Sequence, residues 1–313
     1  MGKIAFLFAG QGSQYPGMGK EFYDEIEEVK NLYEMAEQYR PDTLRQCFRS
    51  ETEELKITKN TQPCLFLTDV ACGMALEKNG IIPDVAAGFS LGEIAGLAST
   101  GILSVNQAFR LVCKRGNLMS DAADRHKGSM VAVLRADRDE LISLCHDNGV
   151  YPVNFNCPGQ VAVSGEEEKM NTFKSILKEK NIRFVPLAVS GPFHTPYMET
   201  AAAGLEEELE RMNVKPAEIP LYGNLTAKPY PKEKEKIIKN ISRQVSNSVL
   251  WEETIKNMND EGVDIFIECG PGKVLSSLVK KTLKNVLICN VCDMDSLKDT
   301  IESVNAYREV KEC

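Results

Sequence analysis

The chain alternates short, strongly apolar runs with longer stretches in which apolar residues recur at three- and four-residue spacing, the texture of an α/β fold. KIAFLF (3–8) is the first predicted strand, followed by a glycine-rich loop, AGQGSQYPGMG (9–19), and a charged helical stretch over 21–38. Helical spacing returns over 61–79, and the short run VAAGF then leads into a serine set between glycines, GFSLG (88–92), with a helix-like segment directly behind it. A further helix is expected over 105–124. The texture then changes to GSMVAVL (128–134), a helix at 137–148, a strand-turn-strand over 150–165, a helix at 166–180 and a strand in IRFVPLAV (182–189). That order is the series of a split βαβ or ferredoxin-like unit. Residues 126–192 are therefore expected to form an inserted small subdomain, with 1–125 and 193–313 forming the larger one. Past it come a helix at 196–212, a strand in IPLYGN (219–224), one helix spanning 236–260, the buried run DIFIECG (264–270), a last strand in VLICNV and a closing helix.

The pentapeptide Gly88-Phe89-Ser90-Leu91-Gly92 fits the nucleophile-elbow pattern G-x-S-x-G. Between a strand and a helix the turn is so tight that a Cβ at either flanking position strikes the neighbouring element. A serine there stands at a helix N-terminus, where unpaired N–H groups, that of Leu91 among them, point toward a developing negative charge. The bland alternative is a tight turn that happens to use serine.

A serine hydroxyl needs a base, and the chain has three histidines. His126 and His146 lie in charged, polar surroundings that read as exposed helix ends, whereas His194 sits in a loop shaped by Pro192 and Pro196, just past the insert. It is the one well-placed partner for Ser90. The loop Gly10-Gln11-Gly12 lacks the third glycine of a dinucleotide fingerprint and is not a P-loop. It is either a plain strand-to-helix connection or a second source of backbone donors for an oxyanion, with glycines 10 and 12 permitting close approach.

Formal charge is −8 with no basic block, which excludes a nucleic-acid footprint. No apolar stretch approaches the roughly 18 residues of a membrane span, and the short apolar run at the N-terminus is no secretion signal, so a cytoplasmic protein is expected. Ten scattered cysteines, Cys313 last, suit reduced thiols, and the lone Cys289-x-x-Cys292 has no second pair or nearby histidine to complete a zinc site.

Taken in order, FLFAGQGSQYPGMG, GFSLGEIAGLAS, KRGNLM (114–119), PVNFNCPGQVAVSG (152–165), SGPFHTPYM (190–198), RQVSNSVLW (243–251) and ECGPGKVLSSL (268–278) resemble the malonyl-CoA:acyl carrier protein transacylases and the related acyltransferase domains of polyketide synthases. The resemblance implies an α/β-hydrolase-like subdomain with a ferredoxin-like insert. It further implies Ser90 as nucleophile, His194 as base, backbone N–H groups of Gln11 and Leu91 as the oxyanion hole, and Arg115 as the grip on the malonyl carboxylate. Gln244 occupies the position whose main-chain carbonyl holds the histidine, and Asn156 that of a polar residue lining the pocket. Malonyl-CoA and acyl carrier protein are the implied partners, the implied state is a monomer, and the chemistry requires no cofactor. Many members carry histidine immediately before the nucleophile, where this chain has Phe89, so a methylmalonyl preference is an alternative to malonyl. From the residues alone, a thioesterase or other serine hydrolase, and a carrier-docking module without activity, stay open.

Overall fold

The computed structural model describes residues 2–189 and 191–312, so Ser190 and Cys313 lie outside the described residues. The strands are β1 (Lys3–Phe8), β2 (Val85–Gly88), β3 (Gly128–Leu134), β4 (Tyr151–Cys157), β5 (Gln160–Glu166), β6 (Arg183–Pro186), β7 (Leu221–Tyr222), β8 (Val263–Cys269) and β9 (Leu287–Val291). They form a five-stranded sheet in the order β7-β2-β1-β8-β9 and a four-stranded sheet in the order β4-β5-β3-β6. All pairings in the first are parallel and all in the second antiparallel.

β1 is central, and only its first residue reaches solvent. Ile4, Phe6 and Phe8 pack on one side with the helices Thr58–Lys78 and Val105–Arg125, while Ala5 and Leu7 face Trp251, Ile255 and Leu275 on the other. A strand covered by helices on both faces must be apolar at every position, which is why KIAFLF shows no alternation. The helix Thr58–Lys78 is buried on nearly every side and begins a few residues before the stretch its spacing predicts.

In the antiparallel unit the alternation is clean. Val131 and Val133 of β3 join Leu141, Cys145 and Phe173 in a separate core beneath the unit's two helices. Met130 and Ala132, one residue out of phase, line a cavity that opens between this sheet and the parallel one. The two-residue period of a strand thus gives the insert one face for its own core and one for the site.

Two helical expectations require correction. The stretch 21–38 is two helices, Lys20–Glu25 and Glu27–Tyr39, separated by Ile26 in an extended conformation that buries its side chain. The stretch 236–260 is likewise two, Lys234–Arg243 and Trp251–Asp260. Between them the chain makes one tight turn, Gln244–Ser246, and then extends. Val249 exchanges backbone hydrogen bonds with β4, donating to the Val153 carbonyl at 2.7 Å and accepting from the Phe155 N–H at 2.9 Å, and the Asn247 side chain bonds the Arg243 carbonyl at 2.9 Å. Ser and Asn offer the backbone alternatives to a helix, and pairing with β4 completes the choice. Helices at Thr43–Arg49, Thr52–Leu55 and Val274–Thr282 are additional to those the pattern predicts. Among the described residues, no helix is long and apolar enough to cross a membrane.

Candidate active site

β2 ends at Gly88, and the helix Gly92–Ser99 begins after Leu91. A Cβ on Gly88 would stand 1.9 Å from the Gly92 carbonyl carbon, and one on Gly92 would stand 2.1 Å from the Phe8 carbonyl oxygen, so neither position admits a side chain. Ser90 itself has φ 52°, a left-handed conformation that a residue with a Cβ adopts only under constraint. The constraint is visible. Its N–H donates to Asn224 Oδ1 at 2.7 Å and its carbonyl accepts from Gln244 Nε2 at 2.6 Å.

His194, also at positive φ, places Nε2 2.7 Å from Ser90 Oγ. Its Nδ1 lies 3.0 Å from the Gln244 carbonyl and 3.2 Å from that of Asn247. Carbonyls only accept, so Nδ1 carries the proton and Nε2 is left to take one from the serine. The break in the 236–260 stretch is what makes those two carbonyls available to the histidine, although that of Gln244 also accepts a long bond, 3.5 Å, from the Asn247 N–H. Burial, and secondly the nearby Arg115 charge, push the His194 pKa down to about 4. His126 caps the helix Val105–Arg125 and stacks on Tyr197, while His146 is exposed beside Asp147.

Arg115, on the helix Val105–Arg125, is 1% exposed. Its Nη2 donates to Ser90 Oγ at 3.2 Å and to Gln244 Oε1 at 2.9 Å, while Nε is buried without a partner. Among the described residues no carboxylate lies within ion-pair distance of it. Burial pushes its pKa down to about 10, opposed by the more distant Glu93 carboxylate. A buried cation with no carboxylate beside it is costly.

Ser90, His194 and Arg115 open into a cavity of about 260 Å³, which Gln11, Leu91 and Asn156 also line. Asn156 is buried with Oδ1 unpartnered, and the Gln11 side chain reaches Thr58 Oγ1 at 3.3 Å. Gly10 justifies its identity, since a Cβ there would fall 2.8 Å from both the ring and the carbonyl of Phe89. At Gly12 the space around a Cβ position is open, and φ 119° is the reason it needs glycine. Phe89 lines the cavity and sets its ring edge-on against the buried Trp251, centroids 5.3 Å apart.

Sequence reasoning missed the layer under the elbow. Glu93, buried in the first turn behind the serine, accepts from the Asn224 N–H at 2.7 Å and from the Tyr230 hydroxyl. Burial, partly offset by those hydrogen bonds, pushes its pKa up to about 7. The acidic residue directly after G-x-S-x-G was a signal for Glu93, but Asn224 and Tyr230 are distant in sequence and carry none.

An elbow serine with a histidine at hydrogen-bond distance, set on an α/β core, has the makings of an acyl-transferring enzyme, and the acyl transferase domain family matches residues 5–304. The chain is 39% identical over 311 residues to the malonyl CoA-acyl carrier protein transacylase of Bacillus subtilis (strain 168), covering 97% of this chain and 98% of that one. The crystal structure of malonyl CoA-acyl carrier protein transacylase from Clostridium perfringens superposes with a TM-score of 0.94 at 36% identity, covering 99% of this chain and all of that one. A type II PKS acyl-carrier protein in complex with its malonyl-transacylase contains a chain that superposes at 0.91 and 33% identity, over 96% and 99% of the two chains. The chain belongs to the malonyl CoA-acyl carrier protein transacylase family.

Proposed function

We propose that the protein moves malonyl from malonyl-CoA to the phosphopantetheine thiol of acyl carrier protein through a malonyl-serine ester. Ser90 Oγ gives its proton to His194 Nε2 and attacks the thioester carbonyl carbon, and the tetrahedral oxyanion is received by the backbone N–H groups of Gln11 and Leu91. The C–S bond breaks, and His194 returns the proton to the departing coenzyme A sulfur. The carrier thiol then repeats the sequence in reverse on the ester: its proton goes to His194 and finally to Ser90 Oγ. Because a thioester is exchanged for a thioester, no external energy source is needed. Throughout, the malonyl carboxylate is held by the guanidinium of Arg115, a planar donor group that matches a carboxylate, with Asn156 as a polar contact in the pocket wall.

The observation that carries this reading is Arg115: a buried cation, its Nη2 3.2 Å from Ser90 Oγ, with no carboxylate within ion-pair distance among the described residues. We also read the parallel layer, 1–125 with 193–313, as an α/β-hydrolase-like subdomain and 126–192 as a ferredoxin-like one; the strand-helix-strand-strand-helix-strand order and the β4-β5-β3-β6 arrangement support the latter. The protein works as a cytoplasmic monomer in this reading. Intact-mass measurement tests the function: malonyl-CoA adds one malonyl group at Ser90, and holo acyl carrier protein removes it and becomes malonylated. Free malonate released as the main product without any thiol acceptor would make the protein a hydrolase instead.

A base must be neutral to accept a proton. With its pKa lowered from 6.5 to about 4, His194 stays neutral as pH falls well below the usual histidine range. The single-turnover acylation rate is therefore expected to keep most of its pH 8 value down to about pH 5, its acid limb following His194 near 4. Half-loss near 6.5 would show a base that titrates like one in water.

A further inference from the structure

We propose that Asn224 is a positioning residue for this reaction: its carboxamide fixes the backbone of the nucleophile and so aims Ser90 Oγ. The inference rests on the reading of Ser90 as nucleophile. Asn224 follows the short strand β7 and is fully buried. Its Oδ1 accepts from the Ser90 N–H at 2.7 Å and from Gln244 Nε2 at 3.3 Å, and its Nδ2 donates to the Gly88 carbonyl at 2.7 Å. One side chain thus clasps the elbow at two points, on either side of Phe89. Its own backbone is pinned in turn: the N–H donates to Glu93 at 2.7 Å and the carbonyl accepts from the Leu250 N–H at 2.9 Å. Every polar atom of the residue is therefore hydrogen-bonded, while the side chain itself does not line the cavity.

The chemistry of the clasp selects asparagine. The elbow presents a donor at Ser90 and an acceptor at Gly88, and a carboxamide offers the matching acceptor and donor on one rigid plane. Aspartate lacks the donor, leucine lacks both, and glutamine is a methylene too long for the buried space. Ser90 holds φ 52°, which nothing in its own sequence favours, and the Asn224 bond to its N–H is one of the two that keep it there. With that N–H occupied, Ser90 contributes Oγ and no oxyanion donor, so the donors come from its neighbours. Asn224 acts through Ser90 and touches no substrate.

The test begins with the wild-type malonyl adduct, because its absence would overturn the nucleophile reading itself. Given that adduct, Asn224→Ala is expected to slow acylation about a hundredfold, the usual consequence of misplacing a reacting atom by an ångström. KM for malonyl-CoA should stay within about twofold, since Arg115 bonds Ser90 and Gln244 and not Asn224. Acylation within about threefold of wild type, or a change confined to KM, would overturn the proposal. Should that variant not fold, Asn224→Asp decides. It keeps shape and acceptor but sets a second acceptor against the Gly88 carbonyl. Its rate relative to wild type is expected to be low at about pH 8 and to rise as pH falls, because a protonated carboxyl donates as Nδ2 does. Glu93, Tyr230, Arg115 and His194 surround the position in both proteins, so the ratio at each pH is the quantity read. A ratio near one throughout, or one that stays low at every pH, would overturn it.

Discussion

Replacing Ser90 with alanine leaves the protein folded and unmodified after exposure to malonyl-CoA, with transfer to the carrier reduced by on the order of 10⁵-fold or more, the scale of nucleophile deletion in serine enzymes. Gln11, Leu91 and Arg115 survive in this variant, so the substrate is expected still to bind; what is lost is the atom proposed to form the ester. Stability should change little. Among the described residues the hydroxyl hydrogen-bonds only His194 and Arg115, and both keep other partners: His194 the Gln244 and Asn247 carbonyls, Arg115 the Gln244 side chain. Alanine tolerates φ 52° no better than serine, but the two backbone bonds that impose it remain. The checks are intact mass, transfer rate and thermal melting on the same preparation. Near-normal transfer by a folded Ser90→Ala would refute the nucleophile assignment.

Much of the site was legible in the chain because its constraints are local. The steric demand at Gly88 and Gly92 is set within five residues, and the distances a Cβ would meet there bear out the expectation. His194 emerged from the choice among three histidines, and the structure brings it to Ser90. Gln244 was expected to hold the histidine by its carbonyl, which it does at 3.0 Å. Its side chain also binds the Ser90 carbonyl and Arg115, which the resemblance did not imply. What escaped the sequence depends on partners far away in it. Asn224 is separated from Ser90 by 134 positions, and a lone asparagine after a short strand has many innocent explanations. The 236–260 stretch has helical spacing throughout, yet Val249 leaves the helix because β4 offers it a ladder that no local pattern can announce. For Arg115 the water is removed by parts of the chain that lie apart in sequence: it is 1% exposed, and its hydrogen-bond partners Ser90 and Gln244 stand 25 and 129 positions away.

That removal underlies the second large effect. Arg115→Ala is expected to lower kcat/KM for malonyl-CoA by about 10²–10³-fold, the cost of deleting one partner of a desolvated ion pair, while leaving acetyl-CoA nearly unchanged. The preference for the carboxylated substrate then disappears. In the free protein the same guanidinium is a burden: it is buried, its Nε has no partner, and its pKa is pushed down because water is missing. Removing it relieves that desolvation, so the variant should melt at the same temperature as wild type or higher, even though Gln244 Oε1 loses a donor. Activity and stability moving in opposite directions would separate a binding role from a structural one. Arg115→Lys sharpens the comparison: an ammonium keeps the charge but not the planar fork, so it should recover only part of the malonyl preference. Competition between malonyl-CoA and acetyl-CoA, read as the two adduct masses on Ser90, measures the ratio directly. If Arg115→Ala keeps the wild-type ratio, the malonyl carboxylate is held by some other group in the cavity.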